Sequence, residues 1–372
     1  MSRSGTVATV AAMVDWTLAR QIARFVAGDS SVSAADFDLA ALSTDVQGPV
    51  AGYTGLHPPD PLPAAELLDR RAWAEVNVGT VAGLLEPVTE RISGRLDGGG
   101  PLGGPMRTVT GAALAAEVGL VLGYMSQRVL GQFELSLLQP EAPTRLLFVG
   151  PNLDRAVEQM DVDRDSFLTW IALHEVTHVF EFSGVPWLRG HMGDLIREFL
   201  TTVEVRIERG TGGGFPSLPD ARKIAETFRE GGIAALVQTR EQRDIMERIQ
   251  ATMAVVEGYS EHVMDAVGEH VVSSYAGLRE AMEKRRRNRS APERALQRLL
   301  GFDLKMRQYE LGKQFCDGAV KLAGIGGLNQ VWEHPDRLPS LAELERPGEW
   351  LARLERERAL PPGAPAGLPE SS

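Results

Sequence analysis

The sequence predicts a mainly helical protein with a small β element, and three observations support this prediction. Hydrophobic residues recur at helical spacing along most of the 372 residues. Short apolar runs typical of strands are scarce, and the best candidate is Arg145–Val149 (RLLFV), which Gly150 and Pro151 close. Hydrophobic residues make up 43% of the chain and charged residues 24%, so a sizeable core can be buried.

One folded domain is expected over residues 1–360, followed by a disordered tail at 361–372. The tail is rich in Pro, Gly and Ser, and such a segment buries too little apolar surface to fold. Residues 33–64 are rich in Gly, Pro and Asp and are predicted to form a long irregular connection. Further along, the periodicity predicts two successive helices, at 239–256 and 258–283.

Composition and charge exclude several classes of function. The formal net charge is −11, which argues against a nucleic-acid partner because such a protein needs a basic face. No run of 18 or more apolar residues is present, so no membrane span is expected. The single cysteine, Cys316, allows no intramolecular disulfide, which fits a reducing cytoplasm. We therefore expect a cytoplasmic protein, and the sequence leaves its oligomeric state open.

The segment LHEVTHVFEF, residues 173–182, carries the strongest chemical signal. It contains the H-E-x-x-H pattern as His174, Glu175 and His178. Residues four apart lie on one face of a helix, so the two imidazoles can bind the same zinc ion. Glu175 lies beside that metal and can act as the general base that activates water. The surrounding residues are apolar, and polar groups buried among them need partners such as a metal.

A catalytic zinc usually has three protein ligands and a position open to water, so a third ligand is needed. The segment MAVVEGYSEHVMD, residues 253–265, is the best source. Its first candidate ligand is Glu257, followed by Glu261 and then His262. The alternative is that these acidic residues form a solvated helix face without a role in the site.

The same segment offers side chains that can assist the metal ligands. Glu261 can accept a hydrogen bond from a ligand histidine and thereby fix its tautomer. His262 can line the pocket or stabilise the oxyanion that develops when water attacks a carbonyl, and the phenol of Tyr259 can do the same.

Three segments, LHEVTHVFEFSGVPWLRGHM, ATMAVVEGYSEHVMDAV and KMRQYELGKQF, together resemble the zincin-like metallopeptidases common in actinobacteria. Some members of that family are associated with biosynthesis of a deazaflavin coenzyme. The resemblance implies a mostly helical, cytoplasmic zinc hydrolase in which His174 and His178 bind the metal and Glu175 is the base. Many zincins hold peptide substrate on an edge strand, and Arg145–Val149 is the candidate for that strand here.

The sequence thus predicts a zinc metallopeptidase-like hydrolase that cleaves amide bonds in a peptide or a small amide. Two alternatives stay open. One is a zinc-binding scaffold without catalysis, which closed coordination by four protein ligands would favour. The other is a small-molecule amidohydrolase linked to coenzyme biosynthesis, which a narrow, closed pocket would favour.

Overall fold

The computed structural model describes residues 14–29, 38–59, 61–97, 103–134, 137, 142–202, 239–287 and 302–359. In these ranges the chain is mainly helical with one small sheet, which confirms the predicted fold class. The predicted tail at 361–372 lies outside the described residues. In chain order the elements are α1 (Trp16–Ala27), α2 (Leu39–Asp45), α3 (Gln47–Thr54), β1 (Ala65–Leu68), α4 (Arg70–Asp97), α5 (Gly103–Ser126), β2 (Gly131–Glu134), β3 (Arg145–Val149), α6 (Gly150–Met160), α7 (Arg164–Gly184), α8 (Leu188–Thr202), α9 (Arg240–Val271), α10 (Tyr275–Arg287), α11 (Phe302–Leu328), the 3₁₀ turns Asn329–Trp332 and Pro335–Arg337, α12 (Leu341–Leu344) and α13 (Pro347–Ala359).

The sheet has the strand order β1–β3–β2, with β1 parallel and β2 antiparallel to the central strand β3. The bounds predicted for the strand Arg145–Val149 are confirmed. The expectation that it is the edge strand is wrong. Its last four residues are at most 1% exposed, and a continuous apolar run of this kind needs neighbours on both sides. The edge strand next to the H-E-x-x-H helix is β2, which contacts α7.

Helix α7 carries the H-E-x-x-H pattern through the larger of two hydrophobic cores. Asp163 caps its N-terminus by accepting a hydrogen bond from the backbone N–H of Ser166 at 2.9 Å. The helix is apolar on most of its surface and is packed by α2, α3, α8, α9 and β2. A smaller core lies between α1, α4 and α5.

Two expectations about helices are wrong for physical reasons. Residues 33–64, predicted as an irregular connection, contain α2 and α3, and Asp38 caps α2 through the N–H of Ala41 at 2.8 Å. The break predicted at residue 257, between helices at 239–256 and 258–283, is absent: α9 continues through Gly258 to Val271, and the break lies at 272–274, before α10. A Cβ at position 258 would lie 2.1 Å from the carbonyl carbon of Gly312 in α11. Gly258 therefore permits close helix packing and does not end the helix.

None of the helices in the described ranges has an apolar stretch of the length and hydropathy needed to cross a bilayer. Helices α7 and α9 pack against each other, and both carry residues of the candidate site.

Candidate metal centre

Three side chains from α7 and α9 bring their possible ligand atoms together. His174, His178 and Glu257 each offer one atom, and these atoms all lie within 4.8 Å of one another. The Nε2 atom of His178 is 3.7 Å from Oε2 of Glu257, and the two imidazole centroids are 4.7 Å apart. All three residues are partly exposed, so the centre of the group is accessible to water. The structure thus brings together the two histidines and the first-choice third ligand.

The charges and donor types of this group fit a zinc ion. Two imidazole nitrogens and one carboxylate oxygen are ligands typical of catalytic zinc. Burial by itself lowers the pKa of His178, but the hydrogen bond with Glu181 and the charges of Glu181, Glu257 and Glu175 outweigh it and raise that pKa. The group therefore favours added positive charge. A divalent cation supplies that charge without a proton on His178.

Glu181 is a member of the site that the sequence analysis missed. It is fully buried, and its Oε2 lies 2.7 Å from Nδ1 of His178. A carboxylate only accepts, so Nδ1 donates and Nε2 faces the ligand group. Its other oxygen, Oε1, is buried with no hydrogen-bond partner among the described residues. The sequence could have indicated Glu181 as a partner of His178, because a residue three positions after His178 lies on the same helix face.

Glu175 lies beside the ligand group and under the edge strand. Its side chain is 6% exposed, and it accepts a hydrogen bond from the backbone N–H of Phe133 in β2. Burial raises the pKa of Glu175 to about 7, against the opposing charge of His178. A carboxylate with a pKa near neutrality can both accept and release a proton at physiological pH.

The geometry of β2 explains how its backbone reaches Glu175. The N–H of Val149 donates to the carbonyl of Leu130, so alternation turns the N–H and C=O groups of Gly131 and Phe133 toward the open edge. A Cβ at position 131 would lie 2.7 Å from both Cγ and Oε1 of Glu175. A glycine at this position therefore leaves the space that the carboxylate occupies.

His262 is held in a separate hydrogen-bonded group on α9. Its Nδ1 is 2.7 Å from Oδ1 of Asp317, and its Nε2 is 2.7 Å from the hydroxyl of Tyr53. Since Asp317 only accepts, Nδ1 carries a proton and Nε2 accepts from Tyr53. Both nitrogens are therefore engaged, which argues against His262 as the third ligand. Lys313 continues this group by pairing with Asp317.

Tyr259 and Glu261 lie outside the three-ligand group. Tyr259 is fully buried and donates its hydroxyl to Oδ1 of Asn329 at 2.9 Å, an arrangement that favours a structural role over contact with substrate. Glu261 is 7% exposed and lies 3.9 Å from Nη1 of Arg279. The orienting role foreseen for Glu261 is filled, for His178, by Glu181.

Known proteins are similar to this chain in sequence and in fold. The family model described as "Zincin-like metallopeptidase" matches residues 14–351. The chain is also similar to a crystal structure from Chloroflexus aurantiacus described as a "putative hydrolase with a novel fold". That structure is 30% identical with a TM-score of 0.68, and the match covers 92% of this chain and 99% of the other. No curated protein matches the chain.

Proposed function

The chain belongs to the zincin-like metallopeptidase family, and we propose on this basis that it is a zinc-dependent hydrolase that cleaves amide bonds. The observation that carries the proposal is the convergence of His174, His178 and Glu257 next to the buried carboxylate of Glu175. Within the described ranges the group has three possible ligands and not four, which supports a catalytic site over a closed structural one.

In the proposed reaction, His174, His178 and Glu257 hold the zinc ion. Bound zinc supplies a Lewis acid that acidifies water and polarises a substrate carbonyl. Glu175 takes a proton from the attacking water and delivers it to the leaving amine. The N–H of Phe133 and the space above Gly131 keep the Glu175 carboxylate in place. Glu181 holds the ring of His178 so that Nε2 points at the ligand group.

The open edge of β2 supports an extended substrate. The outward N–H and C=O of Gly131 and the outward C=O of Phe133 lie near Glu175, and such groups can pair with an added peptide strand. Within the described residues the strand is Gly131–Glu134, which is enough to pair with a short peptide. The link to actinobacteria and to deazaflavin coenzyme biosynthesis rests on the sequence resemblance alone, and the cytoplasmic location also stays a prediction.

The substitution Glu175→Gln tests the catalytic role. The variant should bind one zinc ion per chain, as the wild type does, and should lose hydrolysis of a pool of short peptide amides by about 10²–10⁴-fold because it has no base. Metal analysis and mass spectrometry of the digested pool measure the two effects. The matched control is Glu158→Gln on α6, an exposed site with the same change of charge, which should behave as the wild type.

A second variant, Gly131→Ala, leaves Glu175 in the chain and moves its carboxylate. We expect the variant to keep zinc and to lose activity mainly in kcat, because the added methyl occupies the carboxylate's position. A Glu175→Gln protein that hydrolyses the pool as fast as the wild type would refute the general-base role. Wild-type protein without stoichiometric zinc after loading and desalting would refute the metal site itself.

A further inference from the structure

A cavity of about 600 Å³ lies on the side of the sheet opposite the candidate metal centre. It opens between α4 and α8, and Glu134 of β2 forms part of its wall. Gln132 and Glu134 bond to residues of α4, whereas Gly131 meets Glu175 of α7. Side chains alternate along a strand, so β2 separates the cavity from the metal ligands. The volume is in the range of small-molecule pockets.

In the cavity wall, Glu134 interacts with a guanidinium, that of Arg145, that also serves Glu66. Arg145 lies opposite Glu134 across the strands, but its guanidinium binds both oxygens of Glu66 in β1, at 2.9 and 2.6 Å. Glu134 is 4% exposed, and one of its oxygens accepts a hydrogen bond from the hydroxyl of Thr80 at 2.8 Å. The carboxylates of Glu66 and Glu134 therefore share the guanidinium of Arg145. Glu134 is the more buried of the two and interacts with that guanidinium more weakly.

The other cation of the wall is also paired. Arg197 forms an ion pair with Asp194, at the exposed end of the cavity. Between these charged groups the wall is apolar, with Val76, Leu84 and Leu137. A ligand that fits these surroundings has an apolar body and one positive group that reaches Glu134, since a buried charge needs a counter-charge.

We propose that this cavity binds an organic cation, a ligand with a primary ammonium or guanidinium group on an apolar body, with Glu134 as the anchor. The ammonium binds the carboxylate of Glu134, and the apolar body lies against Val76 and Leu84. The cation comes either from a basic side chain of a substrate lying along β2 or from a separate small amine. The site does not depend on zinc, so it is tested by binding and not by hydrolysis.

The first experiment compares two small probes of the same length by isothermal titration calorimetry on the full chain. We expect n-pentylammonium to bind at least about tenfold tighter than n-pentanol, because a charge-assisted hydrogen bond is added. Glu134→Gln should remove this preference. The matched control is Glu158→Gln on α6, an exposed site outside the cavity wall with the same change of charge, which should keep the preference within about twofold.

A second variant blocks the cavity without changing its charge. Gly79 lines the cavity, and a Cβ placed there meets no atom within 4 Å. Gly79→Leu should therefore fold, also because leucine is the better helix former, and should weaken n-pentylammonium binding by at least about tenfold. If Glu134→Gln does not fold, the binding of n-pentylammonium to Gly79→Leu tests the proposal in its place. The proposal is overturned if pentylammonium binds no tighter than pentanol, or if it binds Gly79→Leu as tightly as the wild type.

A third arm separates the two sources of the cation. The probes are short peptides, acetylated and amidated at their ends, with one lysine or with norleucine in its place. A lysine peptide that binds tighter than pentylammonium assigns the cavity to a basic substrate side chain. A lysine peptide that binds more weakly than pentylammonium assigns it to a separate small amine. Equal binding of the lysine and norleucine peptides, together with no preference for pentylammonium, overturns the proposal.

Discussion

Two histidines on neighbouring buried helices have similar partners at one ring nitrogen and different partners at the other. His178 in α7 and His262 in α9 each have Nδ1 2.7 Å from a carboxylate oxygen, of Glu181 and Asp317 respectively. They differ at the other nitrogen. Nε2 of His262 accepts a hydrogen bond from Tyr53 at 2.7 Å, whereas Nε2 of His178 faces Glu257 at 3.7 Å, with His174 next to it.

The difference shows that a carboxylate partner does not by itself identify a metal ligand. The partner fixes the tautomer and the ring orientation in both cases. The side chain opposite Nε2 decides what the ring can do. The phenol of Tyr53 occupies Nε2 of His262, whereas a second imidazole and a carboxylate leave His178 next to a space that a cation can fill.

Loss of the His178 ring should have the largest effect on zinc affinity, and loss of the His262 ring should have none. We expect His178→Ala to weaken zinc binding at least about a hundredfold, because a direct ligand contributes more than the partners that orient it. His262→Ala should keep the zinc affinity of the wild type, because both of its nitrogens are engaged elsewhere. Competition with a chromogenic chelator measures both affinities. Equal loss of zinc in the two folded variants would place His262 in the metal site after all.

Substitution of the carboxylate beside His178 should have the next largest effect on zinc affinity. Glu181→Gln should lower zinc affinity about 10–100-fold, because the amide orients His178 and raises its basicity less well than the carboxylate does. Asp317→Asn makes the same chemical change beside His262 and should leave zinc affinity unchanged. The same chelator assay applies to both proteins. A Glu181→Gln protein with wild-type affinity would show that Glu181 supports the fold and not the metal.

The phenol that closes His262 should matter for stability and not for metal. Tyr53→Phe removes the hydroxyl that donates to Nε2 and should lower the free energy of unfolding by about 1 kcal/mol, the usual net value of one hydrogen bond. Urea unfolding of the metal-free protein measures this loss. A change in zinc affinity of more than about tenfold would contradict the separation of the two groups.

The smallest effect is on the pH dependence of stability. Burial raises the pKa of Asp317, but hydrogen bonds from His262 and Lys313 outweigh it and lower that pKa. The resulting stability is present above the unfolded pKa of about 4 and is lost as the pH falls through the lower, folded pKa. Asp317 is 44% exposed, so the contribution should be at most about 1 kcal/mol. Urea unfolding should show Asp317→Asn less stable than the wild type at pH 7 and equally stable at pH 2. A constant difference over that range would exclude this linkage.

Local features were predictable because they depend on spacing along the chain. The four-residue interval of His174 and His178 places both rings on one face of any helix, and the short apolar run of β3, closed by Gly150 and Pro151, predicts a strand. Gly258 shows the limit of such reasoning. Read from the sequence alone it separates two helices, whereas in the fold it allows α9 and α11 to touch at their backbones.

By itself the sequence determined the helical fold class and the placement of His174, Glu175 and His178 on one buried helix, because helical geometry fixes which neighbours share a face. Only the tertiary structure favours Glu257 over Glu261 and His262 as the third candidate ligand, because that choice depends on the rotation of α9 against α7 and on the partner that each side chain meets. It also decided that β2, and not β3, lies at the edge, because strand order is set by pairing between segments far apart in the chain.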